Sequence, residues 1–236
     1  MTITERDLAG RQGRRLLVRL AAIHEAVPHV ELADDLWGTD WPAAWDVAVR
    51  ALVSKLRSTL VRVGAPGVLT SGGGAYAMHM PAGSWLDLDA ASESIHRSET
   101  ALAAGDHSGA GADALAARAI ASRPLLPGEE SPWLDVLRGR LDDVRLRALE
   151  CLAEIWIERG DPALGARDAA EAIRIDPYRE SAHRLLIRAH LATGDHGAAA
   201  RAYEACKRLL HDELGVAPSE ATEALVASVL RRSEQG

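Results

Sequence analysis

Apolar residues recur at intervals of three and four along the first sixty residues. Across residues 11–26 this spacing predicts an amphipathic helix, which cannot run on through Pro28. A shorter second helix is predicted around Leu32 and Leu36 and is closed by Gly38, because glycine commonly follows the last residue of a helix. A turn at residues 40–42, Asp-Trp-Pro, separates it from the next helix.

The third predicted helix begins near Ala43 and has one continuous apolar stripe. The stripe consists of Trp45, Val49, Leu52, Val53, Leu56 and Leu60. The other face is polar and presents Asp46, Arg50, Ser54, Arg57 and Ser58. The apolar stripe is expected in a core, which leaves the polar face for solvent or for a ligand.

Two short strand-like runs follow, at residues 68–70 and 75–78, and they are joined by the sequence Ser-Gly-Gly-Gly. This pattern predicts a β-hairpin. Three helices followed by a hairpin describe a winged helix-turn-helix. In that motif the third helix can enter the major groove of DNA while the hairpin lies along the DNA backbone.

A change of charge coincides with the Pro, Gly and Ser-rich stretch at residues 81–84, which predicts a domain boundary between residues 83 and 84. Residues 1–83 hold nine Lys or Arg against eight Asp or Glu, a net charge of +1. Residues 84–236 hold 18 against 26, a net charge of -8. Any nucleic-acid contact is therefore expected in the first domain, residues 1–83.

Helical periodicity dominates residues 84–236. A Gly-Asp pair recurs at residues 105, 160 and 194, each time before an Ala-rich helix, as a C-terminal glycine followed by an aspartate N-cap should. The last two pairs are 34 residues apart, which is the tetratricopeptide period. A long helix from Trp133 to Arg159 is predicted after a loop at residues 123–129. The predicted fold is mainly α, a winged helix-turn-helix with a small hairpin wing followed by a tetratricopeptide-like domain.

Several short runs together resemble the antibiotic regulatory protein (SARP) family of actinobacterial activators. These runs are Leu-Trp-Gly at 36–38, Val-Ser-Lys-Leu-Arg at 53–57, Gly-Gly-Ala-Tyr at 73–76, Pro-Leu-Leu-Pro at 124–127, Asp-Pro-Tyr-Arg-Glu-Ser-Ala-His-Arg at 176–184 and Asp-Glu-Leu-Gly-Val-Ala-Pro at 212–218. The resemblance implies an OmpR-type winged helix joined to a bacterial transcriptional activation domain. It also implies binding to promoter repeats, self-association and recruitment of RNA polymerase. Family members usually begin with a small sheet, which is expected to be missing here because only some ten residues precede the first helix.

The candidate DNA-binding residues lie on the third helix and in the hairpin. On the helix they are Arg50, Ser54, Lys55, Arg57 and Ser58, and in the wing Gly73, Gly74 and Tyr76. Arg50 could contact guanine through two hydrogen bonds, and Lys55 could reach a phosphate. The alternative for these polar residues is a solvated helix face, and Arg57 could instead form a salt bridge within the domain.

A second candidate site lies at a repeat turn of the helical domain, where a partner peptide or a second protomer could dock. Its residues are Tyr178, Arg179, Glu180, His183 and Arg184. Salt bridges between neighbouring helices explain the same residues equally well, and the sequence leaves both interpretations open.

No catalytic, metal or cofactor site is predicted. The glycines at 72–74 lack the Lys-Ser or Lys-Thr of a phosphate loop, and no pair of the nine His has metal-ligand spacing on one helix face. Adjacent carboxylates such as Glu129-Glu130 do not converge with a nucleophile, and most of them are expected on helix surfaces. Cys151 and Cys206 are expected to be core thiols, and the tryptophans at 37, 41 and 45 a small core. Without a signal peptide or a long apolar run, the protein is expected in the cytoplasm and not in a membrane.

Two functions remain as hypotheses. The first is a transcription activator that binds double-stranded promoter DNA, forms a homodimer and contacts RNA polymerase. The second is a tetratricopeptide-like interaction scaffold whose degenerate winged helix no longer binds DNA. Asp46 on the third helix and the near-neutral first domain favour the second, and the family resemblance favours the first.

Overall fold

The computed structural model describes residues 3–233, including all of their side chains except those of Glu5 and residues 228–233. The chain forms two compact units. Residues 1–86 and 125–138 make the first, called here the winged-helix unit, and residues 87–124 and 139–236 make the second, called the helical unit. The domain boundary between residues 83 and 84 stays a prediction.

Residues 3–86 of the winged-helix unit form three α-helices and a small sheet. A short 3-10 helix, Glu5–Asp7, is followed by α1 (Gly10–Ala22), β1 (Val27–Pro28), α2 (His29–Trp37), α3 (Trp45–Arg62), β2 (Leu69–Gly72) and β3 (Ala75–Met78). The strand order is β1-β3-β2, and both pairings are antiparallel. Between residue 3 and α1 the described chain has no strand.

The predicted apolar stripe of α3 lies in the core of this unit. Leu16 and Leu20 of α1, Leu32 of α2, and Val49 and Val53 of α3 are all nearly inaccessible to solvent. The three tryptophans at 37, 41 and 45 pack at the edge of this core, as predicted, and the last two rings lie 5.1 Å apart.

Two details differ from the sequence prediction. Helix α1 ends at Ala22 instead of continuing to residue 26, because Ile23 is extended and the chain then enters β1. Strand β1 was not predicted, and it pairs Val27 with Tyr76 of β3. The residue before a proline avoids the helical region, which accounts for the extended backbone at Val27.

The helical unit is built from antiparallel neighbours. Its elements are α4 (Asp87–Ala103), α5 (His107–Ala121), most of α6 (Pro132–Glu158), α7 (Pro162–Ile175), α8 (Glu180–Ala192), α9 (His196–Leu214) and α10 (Glu220–Ser233). The Asp106 carboxylate accepts hydrogen bonds from the Ser108 and Gly109 amides, and Asp195 accepts one from Ala198. The prediction that the aspartate of a Gly-Asp pair is a helix N-cap is thus confirmed for two of the three pairs. At Asp161 no such bond forms, and Pro162 begins the helix instead.

Small residues let the helices of this unit approach closely. Ala153 of α6, Ala169 of α7 and Ala182 of α8 are completely buried. A Cβ on Gly165 would lie 3.0 Å from the Ala153 carbonyl oxygen, so the α7 backbone passes directly over α6. Cys151 and Cys206 are buried free thiols, as predicted. Among the described residues, no helix is long and apolar enough to cross a membrane.

Candidate nucleic-acid interface

The polar face of α3 is exposed along its whole length. Arg50, Ser54, Arg57 and Ser58 are exposed, and their spacing of three and four residues places them on one side of the helix. Lys55 is also exposed but lies toward the flank of that face. This arrangement leaves a helical surface that an incoming duplex can reach.

The cations of α3 differ in how they are paired. Nη2 of Arg50 lies 2.9 Å from a carboxylate oxygen of Asp46, one turn earlier, although the Arg50 side chain is 64% exposed. Lys55 and Arg57 have no ion-pair partner in the part of the chain that the structure describes. The alternative that Arg57 forms a salt bridge within the domain is therefore not supported by the described residues. The Ser58 hydroxyl donates to the Ser54 carbonyl and stays on the helix surface.

Several other arginines of this unit lie beside carboxylates, whereas Arg6 is exposed and has no ion-pair partner among the described residues. Arg11 and Arg15 of α1 donate to Glu129, at 2.6 and 3.2 Å. Arg19 pairs with both Glu31 and Asp35 of α2, and Arg62 lies 2.9 Å from Asp7. A net charge of +1 over residues 1–83 thus conceals a local excess of positive charge on the exposed face of α3.

The hairpin turns tightly at Gly73 and Gly74, which have φ angles of 58° and 76°. Two central residues with positive φ define the type I′ turn that matches the twist of a hairpin, and glycine takes that conformation without strain. The tip carries no charged side chain, so its polar groups are backbone amides, carbonyls and the hydroxyls of Thr70 and Ser71. A contact with phosphate from this tip would come from those groups.

Tyr76, the third predicted wing residue, is buried. Its ring stacks on the imidazole of His29, with centroids 4.3 Å apart and an angle of 13° between the planes. The same imidazole faces α3, since His29 Nδ1 lies 3.7 Å from the carboxylate of Asp46. Tyr76 is thus placed to support the wing and not to reach into a groove.

Residues 125–138 pack within the winged-helix unit. Besides the Glu129 carboxylate, Trp133 Nε1 donates to the Asp35 carbonyl at 3.1 Å, and the Arg19 guanidinium lies 5.9 Å from the Trp133 ring centre. Arg138, at the end of this segment, donates hydrogen bonds to three of its backbone carbonyls, among them that of Glu129 at 2.7 Å. Glu129 lies in a loop, as the predicted loop at residues 123–129 requires, but its burial was not predicted.

The second predicted site, at the repeat turn, is largely occupied by bonds within the helical unit. Arg179 donates to Glu150 of α6, at 2.9 and 2.8 Å, and His183 is buried with Nε2 donating to the Pro177 carbonyl. The Glu180 carboxylate accepts hydrogen bonds from Ser219, just before α10, and from Thr222 of α10. Arg184 donates to the hydroxyl of the same Thr222. Tyr178, at 44% exposed, is the member most open to a partner.

A groove of 710 Å³ lies in the helical unit, between α4, α6, α8 and α10. Glu150, Glu154, Arg184 and Arg188 give it a mixed charge, and Arg188 already pairs with Glu154. In the described residues no three His, Cys, Asp or Glu side chains come together as a metal site.

Residues 86–230 match the family model of the bacterial transcriptional activator domain. The chain belongs to this family. The resemblance to the SARP family noted in the sequence is thereby confirmed.

Regulatory proteins named AfsR are among the relatives of this SARP-family chain. Identity is 33% over 201 residues with AfsR of Streptomyces coelicolor and 30% over 212 residues with AfsR of Streptomyces griseus. The alignments cover 85% and 87% of this chain but 20% of each relative, so the chain spans about a fifth of the length of those relatives.

The fold of this SARP-family chain is also found in a solved structure, that of Mycobacterium tuberculosis EmbR in complex with a low-affinity phosphopeptide. The TM-score is 0.84 at 24% identity, over 94% of this chain and 60% of that chain. The predicted fold, a winged helix followed by a mainly helical domain, is confirmed by this similarity.

From the sequence, Asp46 was placed on this face only as a mark against DNA binding, and His29 was not identified at all. The Asp46-Arg50 pair was detectable, because acidic and basic residues four apart on a helix are neighbours. His29 could not be found in this way, since its approach to Asp46 depends on how β3 and α3 pack.

Proposed function

We propose that this regulator binds a specific sequence in double-stranded promoter DNA through the exposed face of α3, with the hairpin wing along the DNA backbone. The helical unit then mediates homodimer formation and contact with RNA polymerase. The result is activation of transcription from promoters that carry the recognised repeat.

The observation that carries this proposal is the distribution of arginine partners in the winged-helix unit. Carboxylates neutralise Arg11, Arg15, Arg19 and Arg62, while Lys55 and Arg57 remain open on α3. Lys and Arg that are free to meet phosphates release counterions from DNA, and this supplies much of the affinity. Lys55 and Arg57 thus place free positive charge on the helix that can enter a groove, which favours DNA binding over a scaffold that has lost it.

The first test is the affinity of the Arg50→Ala variant, measured by fluorescence anisotropy. The duplex is one that the wild-type protein enriches from a randomised pool, and a scrambled duplex is measured beside it. Loss of a bidentate contact with guanine is expected to weaken binding of the enriched duplex about five-fold to 150-fold, equivalent to about 1–3 kcal/mol. Arg208→Ala, which removes an exposed charge of the helical unit, is the matched control and should change little.

A second prediction concerns Lys55. Because a phosphate contact carries no base preference, Lys55→Ala is expected to weaken binding of the enriched and the scrambled duplex by similar factors. The slope of log affinity against log salt concentration should become shallower by about 1. Titrations at several salt concentrations measure both effects, and a loss confined to the enriched duplex would instead assign Lys55 to base recognition.

The helical unit is proposed as the surface for self-association and polymerase contact. Tyr178, Leu115 and Leu214 are large apolar residues that are about half exposed in this unit. Sedimentation of the full chain with and without the enriched duplex tests the homodimer. A chain that enriches no duplex and still captures protein partners would support the second candidate, an interaction scaffold, for which the groove beside α6 and α8 is the favouring feature.

A further inference from the structure

An acidic residue on a DNA-facing helix needs an explanation, because its charge repels phosphate. Asp46 is in the first turn of α3, on the same side as Arg50. One carboxylate oxygen lies 2.9 Å from Nη2 of Arg50 and the other lies 3.7 Å from Nδ1 of His29. The carboxylate therefore joins the arginine to a residue of another helix.

His29 is itself held in place by the wing. Its backbone amide donates to the Gly74 carbonyl at 3.0 Å, and its ring stacks on Tyr76 of β3. The His29 side chain is 19% exposed, against 64% for Arg50. A continuous series of contacts thus runs from the hairpin through His29 and Asp46 to the guanidinium of Arg50.

Such an anchor changes what Arg50 can do. An exposed arginine samples many rotamers, and its planar set of donors loses less freedom on binding when it is already oriented. One carboxylate oxygen occupies part of the Nη2 donor capacity and leaves Nη1 and the other N–H groups for an acceptor pair such as guanine O6 and N7. Asp46 itself, without a donor, would meet those guanine acceptors unfavourably.

We propose that Asp46 is a positioning residue that, with His29 behind it, orients Arg50 toward a guanine in the major groove and so sets base specificity at one base pair. This inference rests on the proposed function, since it presupposes that α3 contacts DNA. In this proposal the Asp46 carboxylate has two opposing effects on DNA binding. The negative charge lowers affinity for any duplex, and the fixed arginine raises the preference for guanine.

The test uses the full chain with Asp46→Asn and two forms of the enriched duplex. The relevant guanine is the one whose replacement by 7-deazaguanine, which lacks the N7 acceptor, weakens the wild-type protein but not Arg50→Ala. Asp46→Asn is expected to raise affinity for a scrambled duplex about two-fold to five-fold, since one like charge is gone. It should also reduce the preference for guanine over 7-deazaguanine about three-fold to ten-fold.

Two controls separate positioning from simple charge. Asp34→Asn removes the same charge from an exposed position on α2 and should leave the guanine preference unchanged. In an Arg50→Ala background, Asp46→Asn should have no effect on the preference, because the arginine that it orients is absent. Hydrogen exchange of peptides from α3 checks that the winged-helix unit stays folded in each variant.

The outcomes are distinguishable. A wild-type protein that enriches no duplex overturns the proposed function and this inference with it. If the wild type shows the preference and Asp46→Asn keeps it while binding every duplex more tightly, the proposed function stands. This inference is then overturned, because Asp46 is only a repelling charge.

Discussion

Glu129→Gln is expected to lower the free energy of unfolding of the winged-helix unit by about 3 kcal/mol. The Glu129 side chain is 6% exposed, and so is that of Arg15, which donates to it at 3.2 Å. Removing the negative charge leaves the Arg15 guanidinium buried opposite a neutral amide. Loss of one partner of a buried ion pair is costly because the remaining charge can no longer regain its hydration.

The measurement is hydrogen exchange, followed by mass spectrometry on peptides from α1. This observes the winged-helix unit alone, which a single melting curve of a chain with two compact units does not. Glu130→Gln is a matched control, because it makes the same change at the next residue, whose side chain is exposed. Equal protection of α1 in both variants would contradict a stabilising role for the Glu129 pair.

The same pair gives the unit a sensitivity to acid. Burial raises the pKa of the Glu129 carboxyl, but the hydrogen bonds and charges of Arg11 and Arg15 outweigh it, so the net pKa lies below the usual 4.5. An acid whose pKa is depressed by folding stabilises the folded state above its unfolded pKa and loses that contribution as the pH falls through the folded value. Wild-type α1 should therefore lose protection below about pH 4.5, and Glu129→Gln should lack this part of the pH dependence.

The helices could be predicted because each carries its own signal. In α3 the spacing of Val49, Val53 and Leu56 alone specifies which face is buried, and the long helix from Pro132 agrees with its prediction within one residue at each end. Such patterns depend on neighbours three or four positions away. Strand β1, with two residues, is too short to show any pattern and exists because Tyr76 of β3 is there to pair with it.

Long-range pairs could not be predicted in this way. Glu129 is 114 residues from Arg15 in the sequence, and nothing near it indicates burial. Its neighbours, Pro127 and Gly128, are typical of a surface turn. Likewise, the hydrogen bonds that draw Arg179 and Glu180 into the helical unit depend on where α6 and α10 lie, so the sequence alone left the repeat turn open between a docking site and internal salt bridges.

In the helical unit, the largest loss of stability is expected from a substitution of Asp168. Its side chain is completely buried on α7 and accepts hydrogen bonds from Arg118 of α5, from Trp156 Nε1 of α6 and from Arg167. We expect Asp168→Asn to lower the free energy of unfolding of this unit by about 3 kcal/mol. An amide presents donors where the carboxylate accepted, so at least one of these partners loses its acceptor.

Hydrogen exchange of peptides from α5 and α7 measures this loss within the helical unit. Asp161→Asn is the matched control, because Asp161 is exposed, precedes the same helix and makes no side-chain cap bond. It should change stability by less than about 0.5 kcal/mol. Similar losses of protection in the two variants would contradict the assignment of Asp168 as the centre of a buried network.

The Arg118 partner allows a stricter test by a double-mutant cycle. Arg118→Met alone leaves Asp168 buried with Arg167 and Trp156, whereas Asp168→Asn alone leaves the partly buried Arg118 with Glu171, at 2.9 Å, as its remaining anion. When both charges are removed together, neither is left uncompensated, so the double variant should be more stable than the sum of the single losses predicts, by about 1–2 kcal/mol. Additive losses would mean that the two side chains stabilise the unit independently, and that the Asp168 effect comes mainly from the Trp156 indole.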